Sequence, residues 1–237
     1  MPERIDALIC PRWTVAVEPD TTPRCGQALA VDAGRILALL PREEAERRFA
    51  PDALHERPEH VLMPGLVNAH CHGGMTLLRG YADDLPLDRW LADRIWPAES
   101  KWISPEHVRD GTRLAIAEML RGGTTCFSDM YYFPDVVAAT ALEAGMRAVV
   151  GMIAIEFPTA WASTPDEYIS KGLAVHDRFK GSALIATTFA PHAPYSVSDA
   201  TLTRIRQLAD ELDVPIHTHV HETAAEVAES LAQTGQR

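Results

Sequence analysis

From Val61 onward, strand-like and helix-like segments alternate along the chain, and this alternation limits the possible folds more than any other feature of the sequence. Short apolar runs are each followed by a helical pattern. Parallel strands joined by helices produce this order, so it predicts βαβ units and a parallel sheet. Five rounds are visible, with strands predicted at 61–70, 124–128, 148–155, 183–189 and 215–221.

Local signals mark several helix ends. Ser104 followed by Pro105 is typical of an N-cap with proline in the first turn, and 164–167 (Thr-Pro-Asp-Glu) has the pattern of a capping box. Ser198 precedes a helical run at 200–212. We expect helices to begin at these three points, and other helices to end near Gly122, Gly123 and Gly145.

The first 60 residues have a different rhythm. Short β-type runs are separated by turn-rich stretches, and a charged, proline-bearing connector is predicted at 51–60. We therefore divide the chain into a small β unit, 1–60, and an α/β unit, 61–237. The β-type runs lie at 7–10, 13–17 and 28–31.

The α/β pattern fits either an open doubly wound sheet or part of an eight-unit barrel. Periodicity does not separate the two. The pair Gly73-Gly74 after the first predicted strand lacks the spacing of a dinucleotide-binding loop, which disfavours a sheet of that type.

Five of the ten histidines lie in two clusters at the carboxyl ends of predicted strands, where α/β folds build their sites. His70 and His72 are two residues apart, so both side chains point to the same side of a strand. His217, His219 and His221 alternate in the same way. A row of inward imidazoles is costly unless a ligand or hydrogen bond compensates for it.

A lone His-x-His pair is as often a pair of satisfied histidines as a metal site. Two such clusters at equivalent strand ends favour a metal. Imidazoles without thiolates are typical of catalytic zinc, which keeps about three protein ligands and one open position. Spacing alone does not show which of His217, His219 and His221 is the ligand.

The other candidate residues are Glu222, His192 and the remaining histidines. Glu222 follows the second cluster and is interpreted as a catalytic carboxylate in preference to a solvated helix-start carboxylate. His192 lies between two prolines and is either a substrate-orienting donor or a plain loop histidine. The remaining histidines are expected to be exposed: His55, His60, His107 and His176.

Charge and composition exclude several classes of protein. The chain has 33 acidic and 22 basic residues, and its net charge of −11 repels nucleic acid and anionic lipid. Charged residues interrupt the N-terminal segment 1–11, so we expect no signal peptide and a cytoplasmic, soluble protein. The scattered cysteines argue against a disulfide framework and a thiolate zinc site: Cys10, Cys25, Cys71 and Cys126.

The segment 64–72, Pro-Gly-Leu-Val-Asn-Ala-His-Cys-His, resembles the first-strand signature of amidohydrolases. Later segments resemble the methylthioadenosine/S-adenosylhomocysteine deaminase branch of that superfamily, which also holds triazine hydrolases. The resemblance covers essentially the whole chain. These segments are 76–80, 94–99, 123–125, 191–195 and 219–223.

The resemblance implies a TIM-type (β/α)8 barrel of the metal-dependent hydrolase kind, of which about five βα units are present, with part of a flanking β-sandwich. His70, His72 and His219 match the family's zinc ligands, with one Zn2+ per subunit or another divalent metal. Glu222 matches its proton shuttle. Two residues match positions that contact substrate, Glu99 as acceptor of ribose hydroxyls and His192.

The chain departs from the family in one respect. The family places a further histidine after the sixth strand and a zinc-binding aspartate after the eighth, and this sequence reaches only Arg237. We therefore expect a fragment, a truncated product or a chain completed by a second segment, in which turnover is crippled.

The activity that the resemblance implies is hydrolytic deamination of an adenine nucleoside, with methylthioadenosine or adenosine preferred over S-adenosylhomocysteine. The preference rests on 151–168, which contains no lysine or arginine for the substrate carboxylate. Dimers are usual in that family. The alternatives are an amidohydrolase for another heterocycle, such as guanine or a triazine, and a non-catalytic fragment that binds only metal or a partner.

Overall fold

The N-terminal unit, Met1–Gly65, is organised around one long strand, β1. The structure, a computed structural model, describes residues 1–236. Strand β1 pairs antiparallel with β2 and β3 and parallel with β5, while β4 pairs antiparallel with β3. Apolar side chains such as Ile5, Leu8 and Phe49 form its core. The elements are β1 (Glu3–Thr14), β2 (Arg24–Cys25), β3 (Gln27–Asp32), β4 (Arg35–Pro41), α1 (Arg42–Arg48) and β5 (Phe49–Leu62).

The connector predicted at 51–60 is wrong, because these residues belong to β5. Strand β5 pairs only with β1 and is therefore an edge strand among the described residues. Edge strands tolerate proline and charged side chains, since one row of their backbone groups needs no partner strand. Pro58 and the neighbouring charged residues are accordingly exposed.

The C-terminal unit, Leu66–Arg237, contains a parallel sheet whose strand order follows the sequence. The predictions at 124–128, 148–155 and 183–189 are confirmed to within two residues at each end. Phe127, Val150 and Phe189 pack in its core. The strands are β6 (Leu66–Cys71), β7 (Thr124–Asp129), β8 (Arg147–Ala154) and β9 (Ile185–Pro191).

Two strand predictions need correction. The run 61–70 is divided, because β5 ends at Leu62 and β6 begins at Leu66. The run 215–221 forms no regular strand and makes a single parallel bridge, between Ile216 and Phe189. Its backbone still lies beside β9, since the His217 amide donates to the Phe189 carbonyl at 2.8 Å.

Helices follow the strands, and their predicted starts are confirmed. Ser104, Thr164 and Ser198 are N-caps whose side chains accept hydrogen bonds from amides three residues later. The helices are α2 (Leu87–Trp90), α3 (Trp96–Trp102), α4 (Pro105–Arg121), α5 (Pro134–Glu143), α6 (Pro165–Phe179), α7 (Asp199–Leu212) and α8 (Ala224–Thr234), with a 3-10 helix at Gly73–Leu78 and a π-helical turn at Leu91–Ile95.

The expectation of exposed histidines outside the two clusters is mostly wrong. His55, His107 and His176 are half-buried, and only His60 is exposed. His176 lies against the sheet, where its Nδ1 is 2.7 Å from the Thr187 hydroxyl. No helix within residues 1–236 is long and apolar enough to cross a membrane.

Candidate metal centre and substrate cavity

Three imidazoles converge at the carboxyl edge of the parallel sheet. His70 lies at the end of β6, His72 follows that strand directly, and His219 comes from the extended segment beside β9. The Nε2 atoms of His70 and His72 are 3.0 Å apart, and that of His219 lies 3.3 and 3.4 Å from them. Side chains separated by about 150 residues therefore present their nitrogens to one point.

The outer nitrogens of two of these rings are fixed by backbone carbonyls. Nδ1 of His72 is 2.7 Å from the Met130 oxygen, and Nδ1 of His219 is 2.9 Å from the His192 oxygen. A carbonyl only accepts, so each Nδ1 carries the hydrogen and each Nε2 of a neutral ring has a lone pair. Burial lowers the pKa of His72 to about 4, which keeps that ring neutral.

The converging nitrogens are suited to a cation. Two lone pairs facing one another across 3.4 Å repel, and metal-ligating histidines regularly donate their other nitrogen to a carbonyl. Zinc–nitrogen bonds of about 2.05 Å in a tetrahedral site place the nitrogens about 3.3 Å apart. The separations of 3.0–3.4 Å fit that geometry, so the donor set suits zinc.

The other two histidines of the second cluster lie elsewhere. His217 is half-buried with Nδ1 3.3 Å from the Ser128 hydroxyl. His221 is exposed and has a positive φ of 56°, which breaks the alternation expected of a strand. The structure therefore brings only His219 of this cluster to His70 and His72.

A cavity of about 130 Å3 opens beside the three imidazoles, lined in part by His72, His219, His192, Glu99 and Glu222. The ring of His192 is 5.2 Å from that of His219, and its Nδ1 is 2.7 Å from the Ser196 hydroxyl. Burial, and then the nearby His219, lower the pKa of His192 to about 4. His192 therefore faces the cavity as a neutral ring.

The Glu222 side chain takes no part in the contacts at the start of helix α8, because Glu226 makes them. Thr223 caps α8, and its hydroxyl accepts from the Glu226 amide at 3.1 Å. Glu226 in turn accepts from the Glu222 amide at 2.8 Å. The Glu222 side chain points instead to Tyr195, whose hydroxyl donates to it at 3.0 Å.

Glu99, in helix α3, is buried with 7% of its surface exposed. It accepts hydrogen bonds from Tyr131 at 2.7 Å and from Tyr132 at 3.3 Å. Burial raises the pKa of the Glu99 carboxyl, and the two hydroxyl donors oppose that rise. A carboxylate held by two tyrosines keeps free lone pairs for further donors.

A second cavity, of about 200 Å3, also borders Glu99. It shares Trp96, Glu99 and Tyr132 with the first cavity. The remaining lining is mostly apolar, and Trp96 meets Phe157 edge to face at 5.6 Å between ring centres. The other lining residues are Ser100, Ile103, Pro158, Thr159 and Ala160.

Sequence reasoning missed the residues that hold the site together. Tyr131 and Tyr132 follow β7 after one intervening residue, and the carboxyl end of a parallel strand is a signal that could have found them. The sequence places Tyr195 only at the end of the segment around His192. No sequence signal singles out its contact with Glu222, since the two are 27 residues apart.

We expect Tyr131→Phe to lower the free energy of unfolding by about 1–3 kcal/mol, because it leaves one oxygen of a buried carboxylate without its donor. Tyr132→Phe is the matched control and should lower the free energy of unfolding by less, because the hydrogen bond from Tyr132 to Glu99 is 0.6 Å longer than that from Tyr131 (3.3 against 2.7 Å). Urea denaturation of the metal-free proteins measures both. Equal losses would contradict the assignment of Tyr131 as the main support of Glu99.

A cluster of three imidazoles at the carboxyl edge of a parallel βα sheet is typical of the barrel domains of metal-dependent hydrolases. The amidohydrolase family model matches residues 61–237, and the chain belongs to this family. The family resemblance and the barrel-type fold inferred from the sequence are therefore confirmed.

Several of its relatives are named as deaminases. The chain is 48% identical over 232 residues to a 5-methylthioadenosine/S-adenosylhomocysteine deaminase of Saccharophagus degradans, covering 98% of this chain and 52% of that protein. It is 55% identical, with a TM-score of 0.97, to an adenosine deaminase of Xanthomonas campestris crystallised with bound zinc, covering 100% of this chain and 54% of that one.

A more distant structure shares the fold alone. The atrazine chlorohydrolase of Arthrobacter aurescens TC1, complexed with zinc, matches with a TM-score of 0.83 at 18% identity, over 97% of this chain and 56% of that one. The chain spans about half the length of the curated relatives it matches.

Proposed function

We propose that this chain supplies the zinc-binding and nucleoside-binding part of a hydrolytic deaminase that converts an adenine nucleoside and water to the inosine analogue and ammonia. One observation carries the proposal. The Nε2 atoms of His70, His72 and His219 meet at one point beside a cavity that Glu222 and Glu99 also line. The names of the relatives, deaminases of methylthioadenosine, S-adenosylhomocysteine and adenosine, support the reaction.

The proposed metal ligands are His70, His72 and His219, held with their Nε2 lone pairs inward. Zinc bound there would act as a Lewis acid and would lower the pKa of a coordinated water to about 7. The backbone carbonyls of Met130 and His192 hold two of the rings in the tautomer that ligation requires.

Glu222 is the proposed proton carrier. Its carboxylate takes one proton from the attacking water and delivers it to a ring nitrogen of the adenine. The second water proton passes from the new C6 hydroxyl to the amino group, the C–N bond breaks and ammonia leaves. General acid and base groups of this kind contribute about 10²- to 10⁴-fold to a rate. The Tyr195 hydroxyl holds one oxygen of Glu222, and the other oxygen remains available for the proton.

Glu99 and His192 are the proposed substrate contacts. The Glu99 carboxylate, held by two tyrosine hydroxyls, has lone pairs left to accept the ribose hydroxyls. His192 lines the same cavity as the three imidazoles and stays neutral, so it can orient the heterocycle by a hydrogen bond.

The second cavity supports a preference for methylthioadenosine or adenosine over S-adenosylhomocysteine. It adjoins Glu99, where the ribose is proposed to bind, and no basic side chain is among its lining residues. An apolar methylthio group fits such a surface. The carboxylate of S-adenosylhomocysteine would lose its hydration there with no cation to compensate, which costs free energy.

The experiment compares kcat/KM for ammonia release from the three nucleosides by the full-length gene product. We expect methylthioadenosine and adenosine to exceed S-adenosylhomocysteine by at least about tenfold, a difference of about 1.4 kcal/mol. Ala160→Arg places a cation at the rim of the second cavity and should narrow the gap, while Ala160→Gln should not. A clear advantage for S-adenosylhomocysteine in the parent protein would overturn the preference, and no deamination of any of the three would overturn the function.

A further inference from the structure

Asp129, the last residue of β7, is a buried carboxylate that the proposed mechanism does not use. Only 1% of its surface is exposed. Its Oδ2 accepts a hydrogen bond of 2.6 Å from the amide of Gly73, and no described residue donates to its Oδ1. Burying a carboxylate is costly. An apolar residue would fill this place at less cost, so the bond to Gly73 needs a reason.

The reason lies in what precedes Gly73. Gly73 directly follows His72, one of the three converging imidazoles, and begins the 3-10 helix for which His72 offers no side-chain cap. The Asp129 carboxylate supplies that cap from the neighbouring strand. The position of the chain immediately after His72 is therefore set by Asp129.

Met130, the next residue, fixes the other side of the same histidine. Its amide donates to the Cys71 carbonyl at 3.0 Å, and its own carbonyl accepts from Nδ1 of His72 at 2.7 Å. Together Asp129 and Met130 make three hydrogen bonds to Cys71, His72 and Gly73. The backbone on both sides of His72, and its ring, are thus held by Asp129 at the end of β7 and by Met130 directly after it.

The segment after His72 packs closely against Asp129 and Tyr131. A Cβ on Gly73 would lie 3.2 Å from Oδ2 of Asp129, and a Cβ on Gly74 would lie 2.6 Å from the ring of Tyr131. Both contacts are closer than side chains normally make. The chain after His72 therefore approaches β7 as closely as only glycine permits, and the Asp129 bond depends on that approach.

We propose that Asp129 is a positioning residue for the metal-ligating ring of His72, so that zinc affinity depends on a carboxylate that touches neither metal nor substrate. The inference rests on the proposed function in one respect, that zinc binds between the three imidazoles. Asp129 lies outside the ligand set. Its proposed role is to fix the position of the Gly73 amide, directly after His72, relative to β7.

The test compares Asp129→Ala with Asp129→Asn. Alanine removes the acceptor for the Gly73 amide, whereas asparagine keeps a carbonyl oxygen at the same reach. We expect zinc affinity, measured by competition with a chromogenic chelator, to fall about 10- to 100-fold in Asp129→Ala and to stay within about threefold of the parent in Asp129→Asn. The visible spectrum of the cobalt(II)-substituted protein should change in Asp129→Ala alone.

Thr140→Ala is the control for a merely structural role. Thr140 is a buried polar residue of α5 whose hydroxyl donates to the Val136 carbonyl, away from the imidazoles. Its loss should lower the melting temperature of the metal-free protein without changing zinc affinity. If Asp129→Ala does not fold, Asp129→Ser takes its place, since a serine hydroxyl is one bond too short to reach the Gly73 amide.

The outcomes separate the two proposals. Unchanged zinc affinity in Asp129→Ala, an equal loss in Thr140→Ala, or an equal loss in Asp129→Asn would each overturn the positioning role. A parent chain that binds no zinc would instead contradict the proposed metal centre itself, and the positioning role with it.

Discussion

The His219→Ala chain is expected to bind zinc roughly 10²- to 10³-fold more weakly than the parent chain, since each ligand of a protein zinc site contributes roughly 3–4 kcal/mol. His219 supplies one of three converging nitrogens and is the only one from beyond β9. Without it, His70 and His72 remain as a two-ligand pair on one strand end, too few to hold the ion firmly. Competition with a chromogenic chelator measures the change.

The second histidine cluster provides a matched control. His221 lies two residues from His219 but is exposed and has a left-handed backbone, which asparagine tolerates. We expect His221→Asn to bind zinc within about threefold of the parent. Because a ligand that binds only the folded state raises its stability, zinc should also raise the melting temperature of the parent and of His221→Asn, and not of His219→Ala. Retention of one zinc per chain by His219→Ala would refute the ligand set.

Local signals predicted the C-terminal unit well, because they depend on short stretches of sequence. The N-caps Ser104, Thr164 and Ser198 each need only an amide three residues away. The residues 51–60 could not be assigned in the same way. Their place in β5 depends on pairing with β1, nearly 50 residues earlier, and this tertiary contact overrides an unfavourable composition.

The site was predictable to the extent that alternation and strand ends determine it. His70 and His72 follow from a two-residue spacing on β6. Alternation then suggested three inward histidines at 217–221, and the structure brings only His219 to the cluster. The backbone turns at His221, a change that leaves no mark in the spacing of the residues.

Contacts between side chains that are far apart in the sequence could not be predicted from it. The Glu99 carboxylate meets hydroxyls of residues 32 and 33 positions later, and Asp129 meets an amide 56 positions earlier. Such pairs become visible only when the strand order is known. The family resemblance implies that Glu99 contacts substrate. Tyr131 and Tyr132 follow a predicted strand, but nothing in the sequence pairs them with Glu99.

Glu222→Gln should lower kcat for deamination roughly 10²- to 10⁴-fold and leave zinc content unchanged, because the amide cannot carry the proton. Glutamine has the same shape, and its carbonyl oxygen can still accept from the Tyr195 hydroxyl, so the cavity should stay intact. The measurements are ammonia release from methylthioadenosine by the full-length gene product and elemental analysis of the same sample.

Glu229→Gln makes the same chemical change on the exposed face of α8, where Glu229 accepts a hydrogen bond from Gln233, and it should leave kcat unchanged. The difference in kcat between Glu222→Gln and Glu229→Gln separates the loss of proton transfer from a general effect of removing one acidic charge. If Glu222→Gln lost zinc together with activity, Glu222 would belong to the metal centre. If it kept both, proton transfer would have to be assigned to another group, and the neutral His192 ring in the same cavity would be the next residue to replace.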